Sequence, residues 1–446
     1  MRSTRREPVA CGVDIGSTNV KVVTIDHDGA VRGRAGRPTP RDAQGLSIDG
    51  SVLFGLVEAL IGEVCADEYE VHALCTVGIG EDGLLLDPHL RPLIQALAWF
   101  DPRRQAILHE LRSRLDDESF DVASDAARTM VGWAWARRQP GFESAHSWVA
   151  LADLPAVLWA GRSFLSDTLA SRTGAWRASS RAWAGNRVTA SLGSGELLPV
   201  VLRAGDIVGP VRSSALRSAG VIAGDALVIA GGHDHPVGGW GVDQMVPGAI
   251  LDSMGTAEVV VTQSPLPPPR DNPRVDIAPG IRSTGTTLLR VVELARNVAW
   301  ADQDPAVEPW IHALLDGTAR PAAVLEAGYF QPGRRGGTQP AYRPDAPRDP
   351  RARASAVLGA LACAGRESVT AVGGSSLDPN VVRLAGGWAR SPGWVEIKES
   401  VNGYRAVPIP EPEVTAVGAA LVAATACGWA PDPAAALGGA PVVGVC

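Results

Sequence analysis

The stretch VACGVDIGSTNVKVV, residues 9–23, decides the fold of this chain. Its apolar run at residues 9–13 predicts a buried strand that ends on Asp14. Residues 16–19 predict a tight polar turn, and residues 20–25 predict a second strand. A carboxylate before a small-residue turn suits a magnesium–phosphate site, because the backbone N–H groups of such a turn can approach phosphate oxygens. An ordinary β-hairpin with a turn aspartate explains the stretch equally well.

The composition is that of a globular protein of two or three domains. The chain has 446 residues, of which 46% are hydrophobic and 20% are charged. A net charge of -7 without a basic stripe argues against a nucleic-acid partner. No stretch reaches the roughly 20 apolar residues of a membrane span. Asp14 interrupts the first apolar run too early for a secretion signal. The six cysteines are scattered without a CxxC pair, which predicts free thiols and a cytoplasmic location.

Hydrophobic periodicity predicts strands and helices that alternate in an α/β pattern. Further strands are predicted at residues 30–34, 71–79, 84–87, 97–99, 225–230, 381–385 and 406–409. Helices are predicted at residues 51–65, 105–115, 149–160, 354–372, 391–400 and 413–426. Surface loops are predicted at residues 264–279 and 332–350, which are rich in proline.

The strand–turn–strand pattern of the opening stretch occurs a second time. Residues 248–261 again combine an apolar strand, a small-residue turn and another strand, with Asp252 in the position of Asp14. Two such units, one near the start of each half, suggest two related domains that face each other. The boundary is expected near residues 242–246.

Asp234 is the strongest candidate for catalytic chemistry. It follows a predicted strand and two glycines and lies between His233 and His235. A carboxylate beside a substrate hydroxyl can orient it and accept its proton during phosphoryl transfer. A polar turn with a structural aspartate is the alternative. The two histidines supply only two of the three or four ligands that a zinc site needs.

Three further glycine-containing segments are weak signals when each is taken alone. Glu81 and Asp82 lie between Gly80 and Gly83 and could accept hydrogen bonds from hydroxyls, although a solvated acidic turn is at least as good an explanation. Residues 255–256 could form a second phosphate-binding turn, and residues 386–387 could pass beside a nucleotide. Neither a Walker pattern nor GxGxxG after a strand occurs, so the sequence supports neither a P-loop nor a dinucleotide fold.

Taken together, these motifs resemble those of the FGGY carbohydrate kinases, which belong to the actin/hexokinase-like ATPase superfamily. The resemblance extends nearly from end to end. It rests on DIGST at 14–18, WFDPR at 99–103, GHD at 232–234, GT at 255–256, RLAGGWARSPGW at 383–394 and EVTAVGAA at 413–420. WFDPR is similar to the substrate-side W-x-D-x-R motif of that family.

The resemblance implies an α/β protein with two ribonuclease H-like (actin-like ATPase) domains and a catalytic cleft between them. Residues 1–243 would be the N-terminal FGGY domain, with the sugar site and the first phosphate turn. Residues 244–446 would be the C-terminal, nucleotide-binding domain. The implied activity is transfer of the γ-phosphate of ATP, with Mg²⁺, to a hydroxyl of a small-molecule sugar or polyol. A catalytically idle sugar- or nucleotide-binding regulator of the same fold is the alternative, and an ATPase that drives a partner protein is a second one.

The resemblance also assigns residues to roles, with Asp234 as the general base and Asp14 at the metal. The residues implied to bind ATP and its phosphates are Gly16, Ser17, Thr18, Lys21, Gly255, Thr256, Gly386, Gly387 and Ser391. The residues implied to bind the acceptor are Glu81, Asp82, Trp99, Asp101, Arg103, His233 and Asp234. Lys21 can also be read as a solvated strand residue.

One departure from the family pattern concerns substrate choice. Several members carry GQMHG where this chain has Gly80, Glu81, Asp82 and Gly83. Carboxylates only accept hydrogen bonds, so the hydroxyl pattern that they read should differ, which puts a xylulose-type substrate in doubt. The sequence leaves the sugar and the oligomeric state open, with a homodimer as one option.

Overall fold

The architecture comes from a computed structural model that describes residues 6–115, 125–265, 275–334, 338–374 and 378–438. Its strands, in chain order, are β1 Glu7–Ile15, β2 Asn19–Ile25, β3 Val31–Pro38, β4 Ser47–Ile48, β5 Tyr69–Gly78, β6 Gly83–Leu86, β7 Ala96–Leu97, β8 Ser147–Ala150, β9 Leu165–Ser166, β10 Trp176–Arg177, β11 Ala182–Trp183, β12 Val201–Leu202, β13 Ile207–Pro210, β14 Ile222–His233, β15 Ile250–Met254, β16 Ala257–Ser264, β17 Asp276–Pro279, β18 Thr286–Glu293, β19 Phe330–Gln331, β20 Ala341–Tyr342, β21 Val382–Ala385 and β22 Val407–Pro408.

The helices lie between these strands in an α/β order. They are α1 Gly50–Cys65, α2 Arg103–Arg112, α3 Thr129–Ala136, α4 Leu154–Ala160, α5 Asp167–Arg172, α6 Gly185–Ser191, α7 Ser214–Ser218, α8 Asp234–Met245, α9 Ala295–Ala301, α10 Glu308–Leu315, α11 Pro350–Gly373, α12 Pro392–Asn402, α13 Val414–Ala426 and α14 Pro433–Leu437. Among the described residues, no helix is long and apolar enough to cross a membrane.

The chain divides into two compact units. The first unit comprises Met1–Gly241, Ala278–Thr286 and Thr415–Cys446, and the second comprises Val242–Ile277 and Thr287–Val414. One six-stranded sheet lies in the first unit, and another lies mainly in the second. The consecutive domains expected at residues 1–243 and 244–446 stay a prediction.

The first sheet brings the carboxyl ends of three parallel strands to one edge. Its strand order is β13-β14-β5-β1-β2-β3, in which β14 and β1 both run parallel to β5. The strands β1, β2 and β3 form an antiparallel meander. Apolar residues of β1 and β5 are fully buried in the core, as expected for central strands that are covered on both faces. Apolar residues of helix α1 belong to the same core. Residues that follow β1, β5 and β14 are therefore neighbours.

Helix α13 packs closely on β1 because both elements carry small residues at the crossing. A Cβ atom on Gly12 would lie 2.0 Å from the carbonyl oxygen of Ala416 and 2.4 Å from the backbone nitrogen of Ala420. Such contacts are shorter than any side chain tolerates, so only glycine permits this approach. On its other side, Gly418 of α13 meets α8 at Gly238 and Gly241.

The second sheet repeats the hairpin of the first. Its strand order is β17-β18-β16-β15-β21-β22. The strands β15 and β16 are antiparallel, and β15 runs parallel to β21. Asp252 in β15 thus occupies the place that Asp14 has in β1, which is the repeat predicted from the sequence.

Several predicted elements differ from the structure at their boundaries. The helix predicted at 149–160 is wrong in its first part, because Ser147–Ala150 is strand β8, paired with β6. Helix α4 begins only at Leu154, where Pro155 occupies its first turn. The loop predicted at 264–279 ends in a strand, Asp276–Pro279, and its residues 266–274 lie outside the described residues. Strand β20 interrupts the loop predicted at 332–350.

Candidate active site

The edge of the first sheet at which its parallel strands end gathers the carboxylates predicted as the general base, the metal ligand and the acceptor contacts. Asp14 lies beside Val77 near the ends of β1 and β5, and His233 at the end of β14 lies beside Gly78. Asp234 begins helix α8 immediately after β14. The loop with Glu81 and Asp82 follows β5. One edge of one sheet thus holds residues from three separate predicted motifs.

The turn after β1 is held by contacts from two other segments. Trp99 donates its indole N–H to the Ser17 hydroxyl over 2.9 Å. Thr39 donates its hydroxyl to the carbonyl of Gly16 over 2.7 Å, and Arg41 donates Nε–H to the carbonyl of Ser17 over 3.1 Å. Thr18 is exposed at the tip of the turn. These contacts fix the backbone of a turn whose predicted role is to receive phosphate.

Asp14 and Lys21 lie opposite each other in the antiparallel ladder of β1 and β2. Directly opposed residues project from the same face of a sheet, so the two side chains leave the backbone at neighbouring positions. Lys21 thus lies in the strand that follows the predicted phosphate turn, on the same face of the sheet as Asp14. The contribution of Lys21 to phosphate binding stays a prediction.

Asp234 has the environment of a carboxylate that can exchange a proton near neutral pH. Its side chain is 19% exposed, and the backbone N–H of His235 donates to its Oδ1 over 2.7 Å. Burial raises the pKa of Asp234 to about 7, and the nearby Glu81 carboxylate adds to the increase. The His235 hydrogen bond and Arg172 act in the opposite direction. A pKa near the working pH is what a general base needs.

Two histidine rings flank this carboxylate. The Nε2 atoms of His233 and His235 lie 3.3 and 3.7 Å from Oδ1 of Asp234. Burial lowers the pKa of His235 to about 4, so that ring is neutral at pH 7. Within the described ranges, no group of three or more His, Cys, Asp or Glu side chains is placed to hold a metal ion.

The glycines before Asp234 serve contacts within the protein. A Cβ atom on Gly231 would lie 2.0 Å from the carbonyl oxygen of Thr76 in β5. Gly232 has a positive φ of 139°, and a Cβ there would meet the Thr168 hydroxyl at 2.1 Å. That hydroxyl accepts the backbone N–H of His233 over 2.9 Å. The glycines therefore let α5 and β5 approach β14, which positions Asp234.

Glu81 is paired with an arginine that the sequence analysis missed. Arg172 of α5 donates from Nε and Nη2 to Oε1 of Glu81 over 2.7 and 2.5 Å. Both side chains are 10% exposed. Helix α5 is too short to show periodicity, so no sequence pattern pointed to Arg172.

Asp82 is fully buried and lies 4.0 Å from the guanidinium of Arg104, measured between Oδ1 and Nη2. Burial raises the pKa of Asp82 to about 7, whereas the positive charges of Arg104 and Arg41 act against the increase. Arg104 donates to the backbone carbonyls of Leu97, Ala98 and Ala127, which fixes its position. The sequence carried a signal for this residue, because Arg104 lies on the apolar face of α2, three residues before Ile107.

The substrate-side motif forms its own ion pair. Arg103 donates from Nη2 to Oδ2 of Asp101 over 2.6 Å and from Nε to Oδ1 over 3.0 Å. The Asp101 side chain is fully buried, whereas that of Arg103 is 58% exposed. Asp101 thus anchors Arg103 at the surface, and contact of either with an acceptor stays a prediction.

In the second unit, the predicted nucleotide residues lie on the β15–β16 turn and before α12. Gly255 and Thr256 are exposed between β15 and β16. Gly386 has a positive φ of 86°, and a Cβ there would meet the carbonyl oxygen of Met254 at 2.2 Å. The Ser391 hydroxyl accepts the backbone N–H of Trp394 and donates to the carbonyl of Leu315, so it caps α12. Gly387 has open space around its Cα atom.

Known proteins share this architecture. The structure superimposes on the crystal structure of a ligand-bound xylulose kinase from Lactobacillus acidophilus with a TM-score of 0.82 at 16% sequence identity, over 97% of this chain and 91% of that one. The chain is 28% identical to the xylulose kinase of Streptomyces rubiginosus, over 95% of this chain and 89% of the relative. It is 22% identical to the L-fuculokinase of Salmonella typhi, over 72% of this chain and 71% of the relative.

The family model for the N-terminal domain of the FGGY family of carbohydrate kinases matches residues 9–241, just over half of the chain. The match covers β1 with its turn, the Glu81–Asp82 loop and Asp234. The two sheets agree with the actin-like ATPase fold of sugar kinases. The chain belongs to the FGGY family of carbohydrate kinases and is itself a carbohydrate kinase.

Proposed function

We propose that this carbohydrate kinase transfers the γ-phosphate of ATP to a hydroxyl of a sugar or polyol, with Asp234 as the general base. The observation that carries the proposal is the setting of Asp234 at the end of β14, where burial and Glu81 raise the pKa of its carboxyl to about 7. Asp234 removes the proton from the acceptor hydroxyl while the hydroxyl oxygen forms a bond to the γ-phosphorus. The bond from that phosphorus to the bridging oxygen breaks, and ADP leaves.

The turn at residues 16–18 is proposed to bind phosphate through its backbone N–H groups and its hydroxyls. In the second unit, Gly255, Thr256, Gly386 and Gly387 are proposed to contact the nucleotide. Asp14 fits Mg²⁺, because this ion keeps most of its waters and needs only one or two carboxylates beside the phosphates. The ion supplies charge neutralisation on the phosphate oxygens when it is bound.

Glu81 is proposed to contact the acceptor, and the fully buried Asp82 is proposed to support the loop that carries Glu81. Arg172 holds the Glu81 carboxylate through two hydrogen bonds, and Arg104 lies 4.0 Å from Asp82 behind it. Carboxylates accept hydrogen bonds from hydroxyls, which suits a polyhydroxylated acceptor. Relatives named xylulose kinase and L-fuculokinase make ketoses the first class to test.

A coupled ADP-release assay across pentoses, ketoses and tetritols, with ATP and Mg²⁺, tests the proposal. One acceptor should raise ADP release far above the rate without sugar, and the product should carry a new phosphate ester. An idle regulator would bind a sugar without releasing ADP. Hydrolysis of ATP that no sugar changes would indicate an ATPase instead.

A further inference from the structure

The second unit contains a buried cation between two carboxylates of the β15–β16 hairpin. Lys398, Asp252 and Glu258 are at most 2% exposed. The Nζ atom of Lys398 lies 2.5 Å from Oδ2 of Asp252 and also contacts Oε1 of Glu258. We call these three residues the Lys398 cluster.

The cluster lies directly behind the turn that carries Gly255 and Thr256. Asp252 precedes this turn in β15, and Glu258 follows it in β16. Glu258 is opposite Met254 in the ladder. A single ammonium therefore contacts both strands at the base of the turn.

The face of helix α12 that carries Lys398 makes a second contact with the β15–β16 hairpin. Lys398 lies one turn after Trp394 in α12. The fully buried Trp394 directs its indole N–H at the sulfur of Met254 over 3.0 Å. Because α12 follows the segment with Gly386 and Gly387, these contacts connect the two predicted nucleotide segments of the second unit.

The cluster has little room to move. A Cβ atom on Gly365 of α11 would lie 2.2 Å from Oε1 of Glu258 and 2.8 Å from Nζ of Lys398. Removing one partner of a buried ion cluster leaves an uncompensated charge that the surroundings must rearrange to solvate. Any such rearrangement would act on the β15–β16 turn first.

Asp252 also differs from its counterpart in the first unit. Its carboxylate is 1% exposed and bound to Lys398, whereas Asp14 is half-buried beside its turn. Asp252 therefore has a structural role in the second unit, where it binds Lys398.

We propose that Lys398 is a positioning residue for nucleotide binding, which holds the Gly255–Thr256 turn and the start of α12 in one fixed relation through Asp252 and Glu258. This inference rests on the proposed nucleotide role of those segments. Lys398 itself touches no nucleotide.

Binding of ADP to the purified full-length protein, measured by calorimetry, tests the inference together with the KM values for ATP and acceptor. Lys398→Met should weaken ADP binding and raise the KM for ATP by at least roughly tenfold, while the KM for the acceptor changes less than about twofold. The matched control is Glu399→Gln, which removes a charge from the next, exposed residue of α12 and should leave ADP binding unchanged.

A second variant addresses the case in which Lys398→Met does not fold. Gly365→Ala keeps all three side chains of the Lys398 cluster but pushes against Glu258 and Lys398, so it should weaken ADP binding without changing the KM for the acceptor. Folded variants that bind ADP as wild type does, with only a lower melting temperature, would overturn the positioning role. A wild-type protein that binds no ADP would overturn the proposed function as well.

Discussion

The indole N–H of Trp99 donates to the hydroxyl of Ser17 over 2.9 Å, although the two residues are 82 positions apart in sequence. The bond joins a residue of the substrate-side motif to a residue of the predicted phosphate turn. Substitutions at Trp99 and Ser17 are therefore expected to have coupled effects on activity, and a double-mutant cycle can measure this coupling.

Trp99→Phe should reduce kcat/KM because it keeps the ring but removes the donor to Ser17. The expected loss is about 0.5–1.5 kcal/mol, or roughly 2- to 12-fold in rate. Steady-state kinetics of Trp99→Phe, Ser17→Ala and the double variant measure it. The double variant should be no worse than the poorer single variant, and fully additive losses would show that the bond has no role.

The wild-type enzyme should lose activity in acid. A general base works only when unprotonated, and burial together with Glu81 raises the pKa of Asp234 to about 7. The kcat/KM for the acceptor should thus rise with pH and level off above about pH 8. A profile that is flat between about pH 5.5 and 8.5 would contradict the assignment of this carboxyl.

Changes at the Glu81–Arg172 pair should move that profile in opposite directions. Loss of the positive charge in Arg172→Met should raise the pKa of Asp234 further and shift the acidic limb to higher pH by roughly 0.5–1 unit. Loss of the negative charge in Glu81→Gln should shift it to lower pH. The measurement is kcat/KM against pH, and shifts in the same direction would exclude electrostatic control by this pair.

Gly12→Ala should destabilise the first unit. The added Cβ would lie 2.0 Å from the carbonyl oxygen of Ala416, and backbone atoms cannot move aside as a side chain can. The expected cost is about 1–3 kcal/mol or more in the free energy of unfolding. Gly55→Ala is the control, because its Cβ would meet nothing within 4 Å and alanine should stabilise helix α1 by about 0.5–1 kcal/mol. Equal stabilities in urea unfolding would contradict the close packing of α13 on β1.

The sequence predicted those parts of the fold that local patterns determine. The β1–β2 hairpin, helix α1 and the second hairpin with Asp252 have clear apolar periodicity, and their positions agree with the structure. Strand β8 overlaps the start of a helix predicted from the sequence, because no local pattern shows that these residues pair with the distant strand β6.

Only part of the candidate site could be predicted from the sequence. Asp14 and Asp234 stand out in the sequence, because each lies at or just after the end of an apolar strand and close to glycines. Arg172 reaches Glu81 across 91 residues, and Lys398 reaches Asp252 and Glu258 across up to 146. Pairs of this kind depend on tertiary packing, which no local pattern encodes.

The most direct test of the central claim is the turnover of Asp234→Asn on the acceptor found in the screen. Asparagine preserves the shape of the side chain but cannot accept the hydroxyl proton. The account predicts that kcat falls by about 10²–10⁴, while ADP binding and the melting temperature stay near the wild-type values. A variant that retains near-wild-type kcat would show that Asp234 is not the general base.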